Sequence, residues 1–225
     1  RRVKAVSEVT SGGTLIISAH GVSRDVYQAM EQSGISCIDT TCIFVKKAQD
    51  AAAFLCREGY EVFLVGDPDH TEVKGIVSAA GGPVRILQRQ EDLETVTRGK
   101  RAGLLFQTTQ TAEMLRLFTS GLAEKFDEVR VFNTICRATT ERQEAVRALA
   151  RDVDAVVIVG DRKSANSKRL LAIASEINPR SFMVENADQI NVNDFTSLDT
   201  VGLTASASAP DWVIAEVRTR LESLP

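Results

Sequence analysis

Two of the four cysteines, Cys42 and Cys136, occupy equivalent positions in an internal repeat. Residues 39–75 align without gaps on residues 133–169, an offset of 94 residues, with 11 identities in 37 positions. Self-similarity of this kind identifies the structural unit from which a chain is built. Thiolate is a soft ligand that suits iron–sulfur clusters and zinc, and neither cysteine belongs to a CxxC pair typical of a zinc ribbon. We therefore expect both thiols to bind one shared metal centre.

A second group of candidate residues lies directly after apolar segments that are typical of strands. Hydroxyl, amide and imidazole groups beside helix N-termini suit a phosphate or another oxyanion. An acidic group there could deliver a proton if burial raised its pKa. These candidates are His20, His70, Glu72, Ser164, Asn166 and Ser208.

The same side chains also have ordinary structural interpretations. Both histidines fit surface loops, and Glu72 fits a first-turn carboxylate favoured by the helix dipole. Ser164, Asn166 and Ser208 fit helix N-caps, which use the same geometry as anion binding. The sequence alone does not separate these alternatives.

Composition is that of a globular chain of 225 residues, with 44% hydrophobic and 25% charged residues. The net charge of −3 argues against a nucleic-acid partner, which requires a basic surface. No apolar run approaches the roughly 20 residues that span a bilayer, and no secretory segment opens the chain, which predicts a cytoplasmic location. In that reducing compartment we expect Cys37 and Cys56 to be buried packing residues.

Short apolar runs alternate with segments of helical periodicity along the whole chain. Continuous apolar strands separated by helices predict an α/β fold with small parallel sheets, and ligands of such folds bind at the carboxyl ends of the strands. Neither a GxGxxG nor a GxxxxGK[ST] motif is present, so no dinucleotide fold or P-loop is supported. The predicted strands are Thr14–Ala19, Ser36–Asp39, Val62–Gly66, Val84–Leu87, Gly103–Gln107, Val129–Asn133, Ala155–Gly160, Ser181–Val184 and Thr200–Thr204.

The repeat also predicts the domain organisation. Cys42 and Cys136 precede similar glycine-led strands by 61 and 66 residues, and Gly13 opens a third strand of this kind. We therefore expect pseudo-symmetric α/β repeats, with a third cysteine upstream of Arg1. The predicted boundaries are a remnant of a first domain at 1–41, a second domain at 42–132, a third at 133–209 and a C-terminal helix at 210–225.

The chain resembles the LytB family of 4-hydroxy-3-methylbut-2-enyl diphosphate reductases over essentially its whole length. The motifs that carry this resemblance are Ser18-Ala-His-Gly-Val-Ser23, Asp39-Thr-Thr-Cys42, His70-Thr-Glu-Val-Lys-Gly75, Gln107-Thr-Thr109, Cys136-Arg-Ala-Thr-Thr-Glu-Arg-Gln-Glu-Ala-Val146, Ser164-Ala-Asn-Ser167 and Ser206-Ala-Ser-Ala-Pro-Asp211.

The resemblance implies three pseudo-symmetric α/β domains around a [4Fe-4S] cluster held by three cysteines. It implies that the enzyme removes the allylic hydroxyl of its diphosphate substrate to give isopentenyl and dimethylallyl diphosphates. The electron donor would be of the ferredoxin or flavodoxin type. By residue, it implies that Cys42 and Cys136 are two cluster ligands and that Glu72 is the proton-delivering acid. The implied substrate-binding residues are His20, His70, Thr108, Ser164, Asn166 and Ser208.

Some positions depart from the family pattern. The family's first cysteine and an upstream histidine have no counterpart in this chain, Ile43 replaces a proline, and Ala165 replaces a serine. We therefore expect this chain on its own to be poor in iron and inactive as a reductase. The alternative function is that of a remnant without a cluster, which binds a diphosphate or a partner protein.

Overall fold

The structure, a computed structural model, describes residues 3–196 and 198–224. Within these residues nine strands form three sheets in which every pairing is parallel. The strands are β1 (Thr14–Ile17), β2 (Ser36–Asp39), β3 (Glu61–Val65), β4 (Val84–Leu87), β5 (Gly99–Phe106), β6 (Phe126–Val131), β7 (Ala155–Val159), β8 (Ser181–Val184) and β9 (Val201–Ala205).

The sheets confirm the predicted α/β class. Their strand orders are β1-β2, β4-β3-β5-β6 and β8-β7-β9, so β3 and β7 are central strands. Both are apolar throughout their inner residues because helices cover the sheet on two faces. β5 and β6 begin earlier than predicted, because charged residues such as Lys100 and Asp127 extend the pairing beyond the apolar run.

The helices that connect these strands place polar residues at their N-termini. The N-cap positions of three of them are occupied by Cys42, His70 and Ser164, and Pro210 lies at the N-cap of the last helix rather than inside its first turn. The helices are α1 (Arg24–Gln32), α2 (Ile43–Arg57), α3 (Thr71–Ala80), α4 (Ala112–Ala123), α5 (Arg137–Asp152), α6 (Ala165–Ile177) and α7 (Asp211–Glu222). None of the helices in the described ranges is long and apolar enough to cross a membrane.

The chain divides into two compact units, the first ending at Ile135 and the second beginning at Cys136. In the first unit, α2 and α3 pack on β3 around Leu55 and Ile76, both fully buried. In the second, α5 and α6 pack on β7 around Val146 and Leu170. Each unit thus has its own apolar core.

The prediction that Cys37 and Cys56 are buried was wrong. Cys37 is exposed, because β1 and β2 form a sheet of only two strands in which the neighbouring Ile16 and Ile38 are also 66% and 51% exposed. Cys56 is half-buried at the end of α2, with its Sγ 3.8 Å from the Pro83 carbonyl oxygen.

Candidate functional site

His70 begins the first polar cluster, at the turn between β3 and α3. The Asp67 carboxylate accepts the N–H of Asp69 at 2.9 Å, and the His70 N–H donates to the Asp67 carbonyl at 3.0 Å. The imidazole caps α3, because its Nδ1 accepts the N–H of Glu72 at 3.2 Å. A nitrogen that accepts a hydrogen bond carries no proton, so in the neutral ring the proton lies on Nε2. His70 therefore presents an N–H donor.

Glu72 is the buried acid of this cluster, with 1% of its surface exposed. Its two carboxyl oxygens accept the backbone N–H of Thr108 at 2.7 Å and the Thr108 hydroxyl at 2.9 Å. Burial raises the pKa of Glu72 above its usual value, and the two bonds from Thr108 partly oppose that rise. The sequence interpretation required such a raised pKa for a proton donor.

His20 lies beside His70 in the same unit. The two ring centroids are 5.2 Å apart and the rings are nearly perpendicular, at 88°. His20 has an exposed surface, yet the protein atoms packed around its ring lower its pKa by desolvation, which favours the neutral imidazole. The first unit thus brings together four of the predicted residues: His20, His70, Glu72 and Thr108.

The second unit holds a matching cluster at the start of α6. Ser164 is the N-cap, and its hydroxyl accepts the N–H of Ser167 at 3.4 Å. Asn166 lies inside the first turn, and its amide nitrogen and oxygen are both buried without a hydrogen-bond partner among the described residues. The N-cap interpretation is therefore correct for Ser164 and wrong for Asn166. It is also wrong for Ser208, since Pro210 caps α7.

Three further polar residues of these clusters were not singled out from the sequence. Ser206 is 4% exposed, and its hydroxyl lies 3.3 Å from that of Ser208. The hydroxyl of Ser167 is fully buried and has no partner among the described residues. Gln107 is 1% exposed, and its side-chain oxygen accepts the N–H of Asp67 at 3.0 Å. All three lie inside the motifs that carry the family resemblance, and aligning the strand ends of the two repeats would have found Gln107 and Ser206 as a pair.

The two cysteines share a local setting. Cys42 belongs to the first unit and Cys136 to the second, and each is the half-buried N-cap residue of a helix, α2 or α5, without a side-chain capping bond. The positive end of a helix suits an anionic ligand atom, so the donor type and its setting fit an iron–sulfur centre. Over the described ranges, no three His, Cys, Asp or Glu side chains gather into a metal-binding group.

Comparison with known proteins gives the same family on three grounds. The family described as LytB protein matches residues 1–222. The 4-hydroxy-3-methylbut-2-enyl diphosphate reductase of Geobacter sp. (strain M21) is 43% identical over 222 residues, which cover 99% of this chain and 78% of that protein. The enzyme of the same name from Geobacter sulfurreducens is 41% identical and covers 98% and 79%.

Two solved structures resemble the fold. The reductase from Plasmodium falciparum superposes with a TM-score of 0.93 at 25% identity, covering 99% of this chain and 71% of that one. A structure of (E)-4-hydroxy-3-methyl-but-2-enyl diphosphate reductase, described as the terminal enzyme of the non-mevalonate pathway, gives 0.67 at 36% identity, with 97% and 79% covered. A match over nearly the whole chain, with relatives above 40% identity, shows that this chain belongs to the LytB family.

Proposed function

We propose that this protein is a 4-hydroxy-3-methylbut-2-enyl diphosphate reductase of the non-mevalonate route to isoprenoid precursors. The reaction breaks the allylic C–O bond, consumes two electrons and two protons, and releases water with isopentenyl or dimethylallyl diphosphate. The observation that carries this proposal is the buried Glu72 carboxyl, held by Thr108 and adjacent to the cap residue His70.

Glu72 is the proton donor in this proposal. A leaving hydroxyl departs as water only if it gains a proton, and a carboxyl group that keeps its proton near neutral pH can supply it. Burial raises the pKa of Glu72 in the required direction. Thr108 fixes the orientation of the carboxyl group with two hydrogen bonds and helps to position the substrate.

The diphosphate is bound by neutral donors. In the first unit these are the imidazoles of His20 and His70, of which His70 presents its Nε2–H. In the second unit they are Ser164, Asn166 and Ser208, beside the N-terminus of α6. The buried and unpartnered amide of Asn166 supports this assignment, since buried polar atoms in native proteins are normally hydrogen-bonded.

Cys42 and Cys136 are the two thiolates that this chain offers to a [4Fe-4S] cluster. Such a cluster, when bound, supplies the electrons and a Lewis-acidic iron that weakens the C–O bond. A ferredoxin- or flavodoxin-type protein delivers the electrons.

The central experiment compares two first-turn acids of neighbouring helices. In an enzyme that also carries the third cysteine ligand, Glu72→Gln removes the proton donor, and we expect turnover to fall at least about 100-fold, with iron content and diphosphate affinity kept. Glu113→Gln changes an exposed glutamate in the first turn of α4 and should leave turnover unchanged. If Glu72→Gln turns over at the parental rate, Glu72 is not the acid. If the enzyme with all three cysteine ligands binds pyrophosphate but holds no iron and has no turnover, the remnant function applies.

A further inference from the structure

Cys42 follows a turn that is held by hydrogen bonds of the residues directly before it. After β2, the Asp39 carboxylate accepts the backbone N–H of Thr41 at 2.9 Å and also the Thr41 hydroxyl, which forms an Asx-turn. Its second oxygen lies 2.9 Å from the Lys46 ammonium, one turn into α2. One carboxylate therefore connects the chain before Cys42 to the helix after it.

The same turn is tied to the neighbouring strand. Thr40 donates both its backbone N–H, at 3.2 Å, and its hydroxyl to the Ile17 carbonyl oxygen at the end of β1. The backbone N–H of Cys42 then donates to the Ala19 carbonyl at 3.0 Å. The backbone of Cys42 is thus fixed relative to the segment that carries His20.

The repeat contains this arrangement a second time, ahead of the other cysteine. Asn133 accepts the N–H of Ile135 at 3.2 Å, as Asp39 accepts that of Thr41. The Thr134 hydroxyl donates to the Phe106 carbonyl at 2.5 Å and accepts the Phe106 N–H at 2.9 Å. Most aligned positions of the two repeats have diverged, yet both keep an Asp or Asn, then a Thr, at the same distance before the cysteine.

We propose that Asp39 and Thr40 are positioning residues that hold Cys42 ready to bind metal. This inference rests on the proposed function, because it takes Cys42 to be a cluster ligand. The second repeat indicates which features are essential. The acceptor oxygen of an Asp or Asn and the threonine hydroxyl occur twice, whereas the Asp39–Lys46 ion pair has no counterpart, since Asn133 is uncharged.

Paired substitutions separate the two features from general destabilisation. Thr40→Val and Asp39→Ala remove a hydrogen-bonding group, while Thr40→Ser keeps the hydroxyl and Asp39→Asn keeps the acceptor that the second repeat uses. Thr196→Val, at an exposed position, is the control. The parent for the iron measurement is an enzyme that also carries the third cysteine ligand. After anaerobic loading, its iron loss to a chelator gives the kinetic stability of the centre. In metal-free protein, site-resolved alkylation of Cys42 against Cys56 reports the local order of the turn, and thermal unfolding reports overall stability.

We expect Thr40→Val and Asp39→Ala to lose iron about tenfold faster than the parent, the size typical of lost support behind a metal ligand. Both should also speed the alkylation of Cys42 relative to Cys56. Thr40→Ser and Asp39→Asn should stay within about twofold of the parent, since the hydrogen-bonding groups are kept. Thr196→Val should do the same, because it changes an exposed residue outside the turn.

Two results would overturn the inference alone. One is parental iron retention and Cys42 alkylation in Thr40→Val and Asp39→Ala. The other is a rate of iron loss that rises in all four turn variants in proportion to the fall in their unfolding temperature. That result would mean general destabilisation. If instead the parent holds no more iron than a Cys42→Ser protein, the proposed function fails and the positioning role fails with it.

Discussion

The segments that follow β3 and β7 make the same backbone hydrogen bonds and differ in their side chains. In each segment, a glycine directly follows the central strand. Gly66 donates its N–H to the Leu87 carbonyl at 3.0 Å, and Gly160 donates its N–H to the Val184 carbonyl at 2.9 Å. On the other side, Gln107 and Ser206 donate their N–H groups back to the central strand, at 2.9 and 2.8 Å. The two repeats therefore share this frame of backbone hydrogen bonds at the ends of their central strands.

The side chains on that frame have separate tasks. Glu72 and Asn166 are matched by the repeat offset, yet the carboxyl of Glu72 is satisfied inside the protein by Thr108, and the amide of Asn166 has no partner among the described residues. His70 and Ser164 are N-cap residues at equivalent positions of the repeat, but one caps with an imidazole nitrogen and the other with a hydroxyl oxygen. In the proposed function the first segment supplies a proton, and the second offers hydrogen bonds to a ligand. Duplication of one frame thus supplied two positions that could specialise independently.

The largest effect is expected when the second segment receives a carboxylate at the position where the first segment has Glu72. Asn166→Asp places a charge at a buried position that lacks the donors Thr108 provides for Glu72. We expect pyrophosphate binding to fall about 100-fold or more, since a buried unpaired carboxylate is costly and repels the anion. Calorimetric titration measures this loss. Asn166→Ala is the matched control and should lose only about 1–2 kcal/mol of binding free energy. Equal losses in the two variants would contradict a neutral anion site.

A smaller effect tests how closely the second segment is packed. A Cβ on Gly160 would lie 2.4 Å from the Ser167 hydroxyl and 3.0 Å from that of Ser206. Gly160→Ala should therefore lower the free energy of unfolding by about 1–3 kcal/mol, and Ser167→Ala in the same chain should recover part of that loss. Chemical denaturation of the single and double variants measures the coupling. Simple additivity of the two changes would show that the two residues do not contact each other.

The raised pKa of Glu72 should appear as a pH dependence of stability. The pKa of Glu72 is raised in the folded state, so the folded chain binds this proton more tightly than the unfolded chain. Its contribution to stability is therefore complete below the unfolded pKa and falls as pH rises through the higher folded pKa. The glutamine in Glu72→Gln does not titrate. The free energy of unfolding of this variant should therefore increase relative to that of the parent as pH rises from acidic to mildly alkaline. Parallel curves for parent and variant would mean that Glu72 has no raised pKa.

The smallest effect concerns the hydroxyl pair of the second segment. Ser208 can donate to an anion only if its hydroxyl bond with Ser206, 3.3 Å long, is donated by Ser206. Ser206→Ala should weaken pyrophosphate binding by about 0.5–1 kcal/mol, and have almost no effect when Ser208 is already alanine. Titration of the two single variants and the double variant gives this coupling. Full additivity would mean that Ser206 does not orient Ser208.

The sequence predicted the fold, and it predicted which polar residues follow the strands, because both depend on local patterns. Apolar runs bounded by Gly and Asp predicted all nine strands, and the strand-end rule predicted where the polar residues lie. The pairing of Glu72 with Thr108 could not be read from spacing, since it joins residues 36 positions apart in chain order through two neighbouring strands. Nor could the exposure of Cys37, because an apolar run does not reveal that its sheet has only two strands.

The capping bond of His70 also determines how the site responds to ionic strength. With Nδ1 accepting the N–H of Glu72, His70 offers an N–H dipole at Nε2, and the lowered pKa of His20 favours its neutral imidazole. The proposed diphosphate residues include no lysine or arginine, so the attraction comes from short hydrogen bonds at contact distance. Added salt screens long-range fields between exposed charges and has little influence on such contacts. Recognition of this kind selects the shape of a diphosphate and gives little advantage to other anions of equal charge.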